Sequence, residues 1–341
     1  MGQVEDRSRD GSVAGVCPQG QSRRSAPAAL LSAAVAIGGI AVACASTGKG
    51  AGTPSQGHET VSETLHFDGT KAYALLKAQC DFGPRYPGSE AHKKTRDWIV
   101  AQAKQYTDKV ETQEFTHEWS VTKSKVTMWN VVATMDVGAK TTVLLLAHWD
   151  TRPTADMEWD AEKQKKPIVG ANDGASGVSV LLELMRAFKQ TPPPVNVTFL
   201  FTDGEDLGPE INEMFLGATH FAKNMKRGAY SFGILLDMVG DKDLEIPIES
   251  YSQYYARSVV ERFYRNAALL GYSKQFPRQA QGQVLDDHLP LNEAGLPTMD
   301  LIDFQYPYWH TLDDTPDKCS AESLAIVGRA VESFLRKERG S

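Results

Sequence analysis

The sequence predicts a single α/β domain: a mixed, mainly parallel sheet with helices on both faces. Three short, nearly continuous apolar runs at 142–147, 195–201 and 232–236 read as strands buried on both sides. Segments of helical period separate them, and strands alternating with helices build parallel sheets through crossovers. After residue 65 there is no internal repeat and no second composition regime. The 341 residues give ample length for one such core, and 41% hydrophobic content argues against a disordered chain. Lys and Arg number 36 against 43 Asp and Glu, a formal charge of −7 with no basic block longer than a pair. A nucleic-acid footprint needs a basic stripe, so a small-molecule or peptide substrate is expected.

The first residues stand apart from the domain. Arg23 and Arg24 precede an uncharged, Ala-rich stretch that ends in Ala41-Val42-Ala43-Cys44. A basic flank, an apolar run and small residues before a processing point read as a signal peptide over residues 1–43. A transmembrane anchor competes, because the run is just long enough to span a bilayer; its Ala and Gly content and the abrupt Cys favour processing. Small residues directly before a Cys also resemble a bacterial lipoprotein signal, which implies lipid on Cys44. Residues 44–64, rich in Gly, Ser and Thr without hydrophobic period, read as a flexible linker. The expectation is an exported, lipid-anchored cell-envelope protein, otherwise periplasmic or secreted, touching a membrane only through this anchor. Cys80 and Cys319 would remain; the sequence leaves their pairing open, and without a Cys-x-x-Cys pair it gives no zinc-ribbon or thioredoxin signal.

The domain expected at 65–341 opens with helices at 70–79 and 90–106, the second carrying Trp98, Ile99 and Ala103 on one face. Between them lies the turn-rich loop from Phe82 to Ser89. Residues 110–118 and 121–135 read as an antiparallel pair. The three buried strands follow, with a fourth candidate at 298–302 after the turn at Gly295; helices are expected at 175–189, 216–226, 254–270 and 320–336.

Every strand of the parallel set ends in acids or His. The first runs into His148-Trp149-Asp150, the second into Asp203-Gly204-Glu205-Asp206, the third into Asp237, and the fourth leads to His310. Ligands of open α/β sheets bind outside the carboxyl ends of the strands, so topology alone brings these residues to one edge. Asp173, inside the glycine-flanked segment 170–177, belongs there too, although an isolated carboxylate opening a helix is as often only an N-cap. His148 and Asp150 share a strand face, which lets Asp150 hold the imidazole in one tautomer. Glu205 and Asp206 diverge as neighbours, so one can bind a metal while the other carries a proton. Adjacent acids are more often plain loop surface, but candidates at the ends of four strands are harder to dismiss. Nitrogen and oxygen donors without thiolate fit Zn²⁺. Trp149 and Trp159 read as core rather than pocket, and His117, His220 and His288 as structural or surface residues.

His148, Asp173, Glu205-Asp206, Asp237 and His310 stand in the order and spacing of the zinc aminopeptidase superfamily that also contains animal-type glutaminyl cyclases, and the resemblance runs from Gly83-Pro84-Arg85 to the last helix. It implies a zinc aminopeptidase-like fold. Asp286-Asp287-His288, Trp309-His310-Thr311 with Asp313-Asp314, and the segments 147–153 and 170–177 look more like the cyclases, their bacterial members especially. By that resemblance one zinc sits on Asp173, Asp206 and His310, and a second on His148 and Asp237 stays open. Glu205 is the proton carrier, Asp237 and Asp286 support it, and Trp309 and Asp287 meet the substrate. The implied enzyme is a glutaminyl-peptide cyclotransferase acting on peptides or proteins that begin with Gln, expected as a monomer. The alternative is a metallo-aminopeptidase of the same superfamily. A binding module without catalysis is a third class, which the intact Glu205 disfavours.

Overall fold

Alternation along the strands decides the layering. In β3 (Thr142–His148), Val143, Leu145 and Ala147 join one buried apolar cluster while Leu144 and Leu146 join another. β4 (Asn196–Thr202) divides likewise, with Val197, Phe199 and Phe201 on the first side and Leu200 on the second. Successive side chains point to opposite faces of a sheet, so an unbroken apolar run demands cover on both. The computed structural model describes residues 64–339, and the expected signal peptide over 1–43, Cys44 and residues 44–63 of the expected linker lie outside them. No described helix is long and apolar enough to cross a membrane.

The sheet has six strands in the order β1-β2-β4-β3-β5-β6, completed by β1 (Val110–Trp119), β2 (Ser124–Met135), β5 (Gly233–Asp237) and β6 (Thr298–Ile302). β4, β3, β5 and β6 run parallel, and β2 pairs antiparallel with both β1 and β4. The expected mixed, mainly parallel sheet is therefore present.

α1 (Gly69–Cys80), α2 (Glu90–Ala103), a short α3 (Ala161–Gln164) and α4 (Ala175–Gln190) precede β4. Buried along most of its length, α4 lies in the larger core cluster with α9 (Ala321–Arg336). α5 (Leu216–Asn224) covers the opposite face through Phe221, and α8 (His288–Glu293) through Leu291. The helix expected at 254–270 is two, α6 (Ser250–Tyr255) and α7 (Arg257–Leu269), parted at Ala256, whose φ of −123° and ψ of 28° leave the helical region. Neither Gly nor Pro marks that break, and the apolar period runs through it. Glu332 of α9 accepts the backbone N–H groups of His66 and Phe67, tying the start of the described chain to the last helix. Cys80 and Cys319 are free thiols. Burial pushes Cys80 up to about 11.

Candidate active site

Parallel register carries the ligands to one edge. β3 pairs with β5 through Leu144↔Gly233 to Leu146↔Leu235, and two residues further on His148 Nε2 lies 3.1 Å from Asp237 Oδ1. The same nitrogen is 3.2 Å from Asp173 Oδ1. On the other side of Asp173, His310 Nε2 stands 3.7 Å from Asp173 Oδ2 and 3.4 Å from Asp206 Oδ1. Two buried triads result, His148-Asp173-Asp237 and Asp173-Asp206-His310, joined at Asp173.

Asp173 is placed by its loop. Its own N–H and that of Asn172 are accepted by the carboxylate of Asp314, which also receives the Tyr306 hydroxyl at 2.8 Å. Gly174 opens α4 with φ 103°, and a Cβ there would lie 2.5 Å from the Asp150 carbonyl oxygen. Only glycine combines that dihedral with that approach. Arg85, fully buried, donates to the carbonyls of Trp149, Val169 and Gly170, which binds the Gly83-Pro84-Arg85 loop to both ligand-bearing segments.

Asp150 departs from its expected role. Its oxygens accept the backbone N–H groups of Glu205 and Asp206, each at 3.2 Å, while His148 Nδ1 is 3.7 Å away and has no hydrogen-bond partner. It positions the acidic loop rather than the imidazole. The carboxylate that sits against a site histidine is Asp156, 2.9 Å from His310 Nδ1. Arg152 joins the two by reaching Asp206 Oδ1 and Asp156 Oδ2, both at 2.9 Å. No strand-end or spacing signal marked Asp156, and Arg152 was visible only as part of segment 147–153.

The electrostatics of the two adjacent acids diverge. Burial, with the charges of Asp206, Asp286 and Asp287, holds Glu205 well above the ordinary glutamate range despite His148 nearby. Asp206 is equally buried, but His310 and Arg152 outweigh that penalty and hold it below the usual aspartate value. For His310, burial opposes the charged form, and the surrounding Asp206, Asp156 and Asp173 carry it up to about 10.

These residues floor a cavity of about 250 Å³ walled by Met214, Val284, Ile302, Phe304 and Trp309, with Glu205, Asp237 and Asp286 also facing it. That is below the roughly 300–1,000 Å³ of drug-sized sites and suits a single side chain. The Trp309 ring stacks on His310 at 3.9 Å between centroids. Asp287, expected to meet substrate, is fully buried, accepts the Thr202 hydroxyl and does not line the cavity. Asp203 is also taken up internally, by His92 Nε2 at 2.8 Å and the Trp129 N–H. Trp149 is core, as expected, stacked on His92, whereas Trp159 is fully exposed.

The donors suit a metal ion. Asp173 Oδ2 and Asp206 Oδ2 are buried without partners, and Asp156 on Nδ1 leaves the Nε2 of His310 turned to the acids. A second carboxylate on the far nitrogen is the usual support of a metal-bound histidine.

The model of peptidase family M28 matches residues 130–335. A glutaminyl cyclase from Tannerella forsythia is 35% identical, with a TM-score of 0.76 over 80% of this chain and 99% of its own. A leucine aminopeptidase precursor from Bacteroides thetaiotaomicron is 32% identical, with a TM-score of 0.77 over 81% and 100%. The mouse glutaminyl-peptide cyclotransferase-like protein is 28% identical over 75% of this chain and 72% of its own.

Proposed function

The chain belongs to peptidase family M28 and, within it, to the glutaminyl cyclases, and from that premise we propose that it is a zinc-dependent glutaminyl-peptide cyclotransferase. It would convert the N-terminal glutamine of peptides or proteins to pyroglutamate with release of ammonia. The observation that carries the reading is a cavity sized for one side chain, with Trp309 on its wall and Glu205 and the Asp173-Asp206-His310 triad on its floor.

Asp173, Asp206 and His310 would hold the zinc, which when bound supplies Lewis-acid polarisation of the side-chain amide carbonyl. Trp309 packs against the glutamine side chain and turns its amide toward the triad. Glu205 takes a proton from the attacking α-amine and returns it to the departing ammonia, a shuttle suited to a carboxyl whose buried setting raises its proton affinity. Asp237 and Asp286 keep that part of the floor polar beside Glu205. Amine and amide belong to one residue, so alignment in a narrow cavity supplies much of the rate.

One observation favours a metallo-aminopeptidase as the second reading. His148, Asp173 and Asp237 form an intact second triad, which two-metal hydrolysis would use. Mass spectrometry of a Gln-initiated peptide after incubation with the enzyme separates the two. Loss of ammonia at unchanged chain length is expected, and release of free residues would sink the cyclase reading. The export signal and lipid on Cys44 remain part of this proposal.

A further inference from the structure

Surface charge is distributed unevenly over the described residues. α7 and the end of α9 enclose a groove of about 430 Å³ bordered by Arg262, Arg265, Lys337 and Arg339, with Glu338 its one acid. Four cations against one carboxylate run counter to a chain whose formal charge is −7. Glu338 is taken up by Arg262, and the neighbouring Glu261 by Arg257 at 2.8 Å. Arg265 and Arg339, both exposed, form no ion pair among the described residues. Leu269, which also borders the groove, is 77% exposed.

Two contacts fix where this groove lies. Glu332 of α9 accepts the backbone N–H groups of His66 and Phe67, and Lys337 follows it by only about 7.5 Å of helical rise. The point at which residues 1–63 attach is therefore at the same end of α9 as the groove. Arg262 lies over the Phe232 ring, 5.4 Å from its centroid, and Phe232 immediately precedes β5. Asp237 closes that strand and lines the cavity of the candidate active site. The strand, about 17 Å long, thus separates the groove from the cavity.

We propose that this basic end of α7 and α9 docks on a membrane surface of anionic phospholipid, with the cavity turned away from the bilayer toward soluble peptides. Cationic side chains near such a surface are drawn to it, guanidinium groups pair phosphate oxygens with two donors, and Leu269 would enter the headgroup layer. A flexible tether of about 20 residues has an r.m.s. reach of roughly 25 Å. With Cys44 anchored, that reach holds the groove close to the bilayer, so a weak contact is enough to select one face. The orientation rests on the lipid-anchor reading of Cys44; the affinity of the groove for anionic lipid does not.

The test is vesicle binding by the full-length chain, wild type beside Arg265→Gln/Arg339→Gln and Arg265→Glu/Arg339→Glu. All three share residues 1–63, so whatever that segment contributes cancels. Removing the two exposed cations is expected to weaken binding to phosphatidylglycerol vesicles about 25-fold, at roughly fivefold each, and reversing them to weaken it further. Binding to phosphatidylcholine vesicles should be the same for all three, and the difference on phosphatidylglycerol should shrink as salt screens it. Equal binding of the three chains to phosphatidylglycerol would overturn the proposal, as would an equal loss on both lipids. Displacement by inorganic phosphate beyond that by chloride of the same ionic strength would overturn it in favour of a discrete anion site. Hydrogen exchange on the vesicles reads the orientation: slowing is expected at the ends of α7 and α9, and slowing at the cavity loop 207–215 instead would overturn it. Neither turnover nor lipidation enters the vesicle comparison. The cyclase reading is decided by product analysis and the lipid on Cys44 by the mass of the processed chain, so each can fail separately.

Discussion

Glu205 and Asp206 are adjacent, equally enclosed and opposite in proton affinity. What separates them is their neighbours: Asp206 meets His310 and Arg152, whereas Glu205 faces His148 but also other acids. The first is thereby suited to remain an ionised ligand and the second to exchange protons. Glu205→Gln should therefore bind zinc as wild type does and lose turnover by about 10²–10⁴-fold, the usual contribution of a positioned acid–base group. Elemental analysis beside kcat on the same sample checks it, and near-normal turnover in a zinc-loaded variant would refute the role. The paired acids were legible in the sequence because they end a buried strand. Arg152 and Asp156 were not identified as supports, since a contact from one loop to two others leaves no periodic trace. His288, read as a structural or surface histidine, is buried beside Glu249 and Asp300, which are 39 and 12 positions away.

At the scale of elements, the parallel strands deliver the site residues and the loops after them absorb the strain. Among described residues, four that are not glycine have positive φ, and three of them, Phe215, Met238 and His310, line the cavity. Such backbone costs of order 1–3 kcal/mol each and persists where surrounding packing imposes it. α4, which follows the Asp173 loop, lies directly against the sheet. A Cβ on its Gly177 would come within 2.1 Å of the Leu236 carbonyl oxygen and 2.8 Å of the Ala147 side chain. Gly177→Ala should then cost about 1–3 kcal/mol through forced separation of helix and strand. Calorimetry is expected to show a Tm lower by several degrees, and an unchanged midpoint would contradict the close approach. The sequence flagged the glycines of 170–177 as allowing close approach to a site. The structure assigns Gly174 to the ligand loop and Gly177 to a strand backbone.

Over the whole molecule, the formal charge of −7 conceals a concentration of buried acid. Burial is the leading cause that lifts Asp173, Glu205, Asp286 and Asp300 above their ordinary values, and it carries Asp287 up to about 7. Unfolded, these groups titrate near pH 4, so between that value and their raised ones the folded chain binds more protons than the unfolded chain. Stability must fall as pH rises through that window. The raised His148 and His310 act with the same sign, and the lowered Asp206 and Glu249 act against it. Metal-free protein in chelator should lose Tm steadily from about pH 4.5 to 8, and zinc should restore it by binding the folded state alone. A midpoint independent of pH would sink this account.

The sequence by itself determined the fold class and the sheet edge where the chemistry gathers, because apolar period and strand ends are local signals read along the chain. The tertiary structure decided which atoms meet: Asp150 on the acidic loop, Asp156 behind His310, Asp287 sealed from the cavity, and Asp286 brought to Asp300. Those contacts are set by how distant segments pack on the sheet, and packing across such separations has no period for a sequence to display.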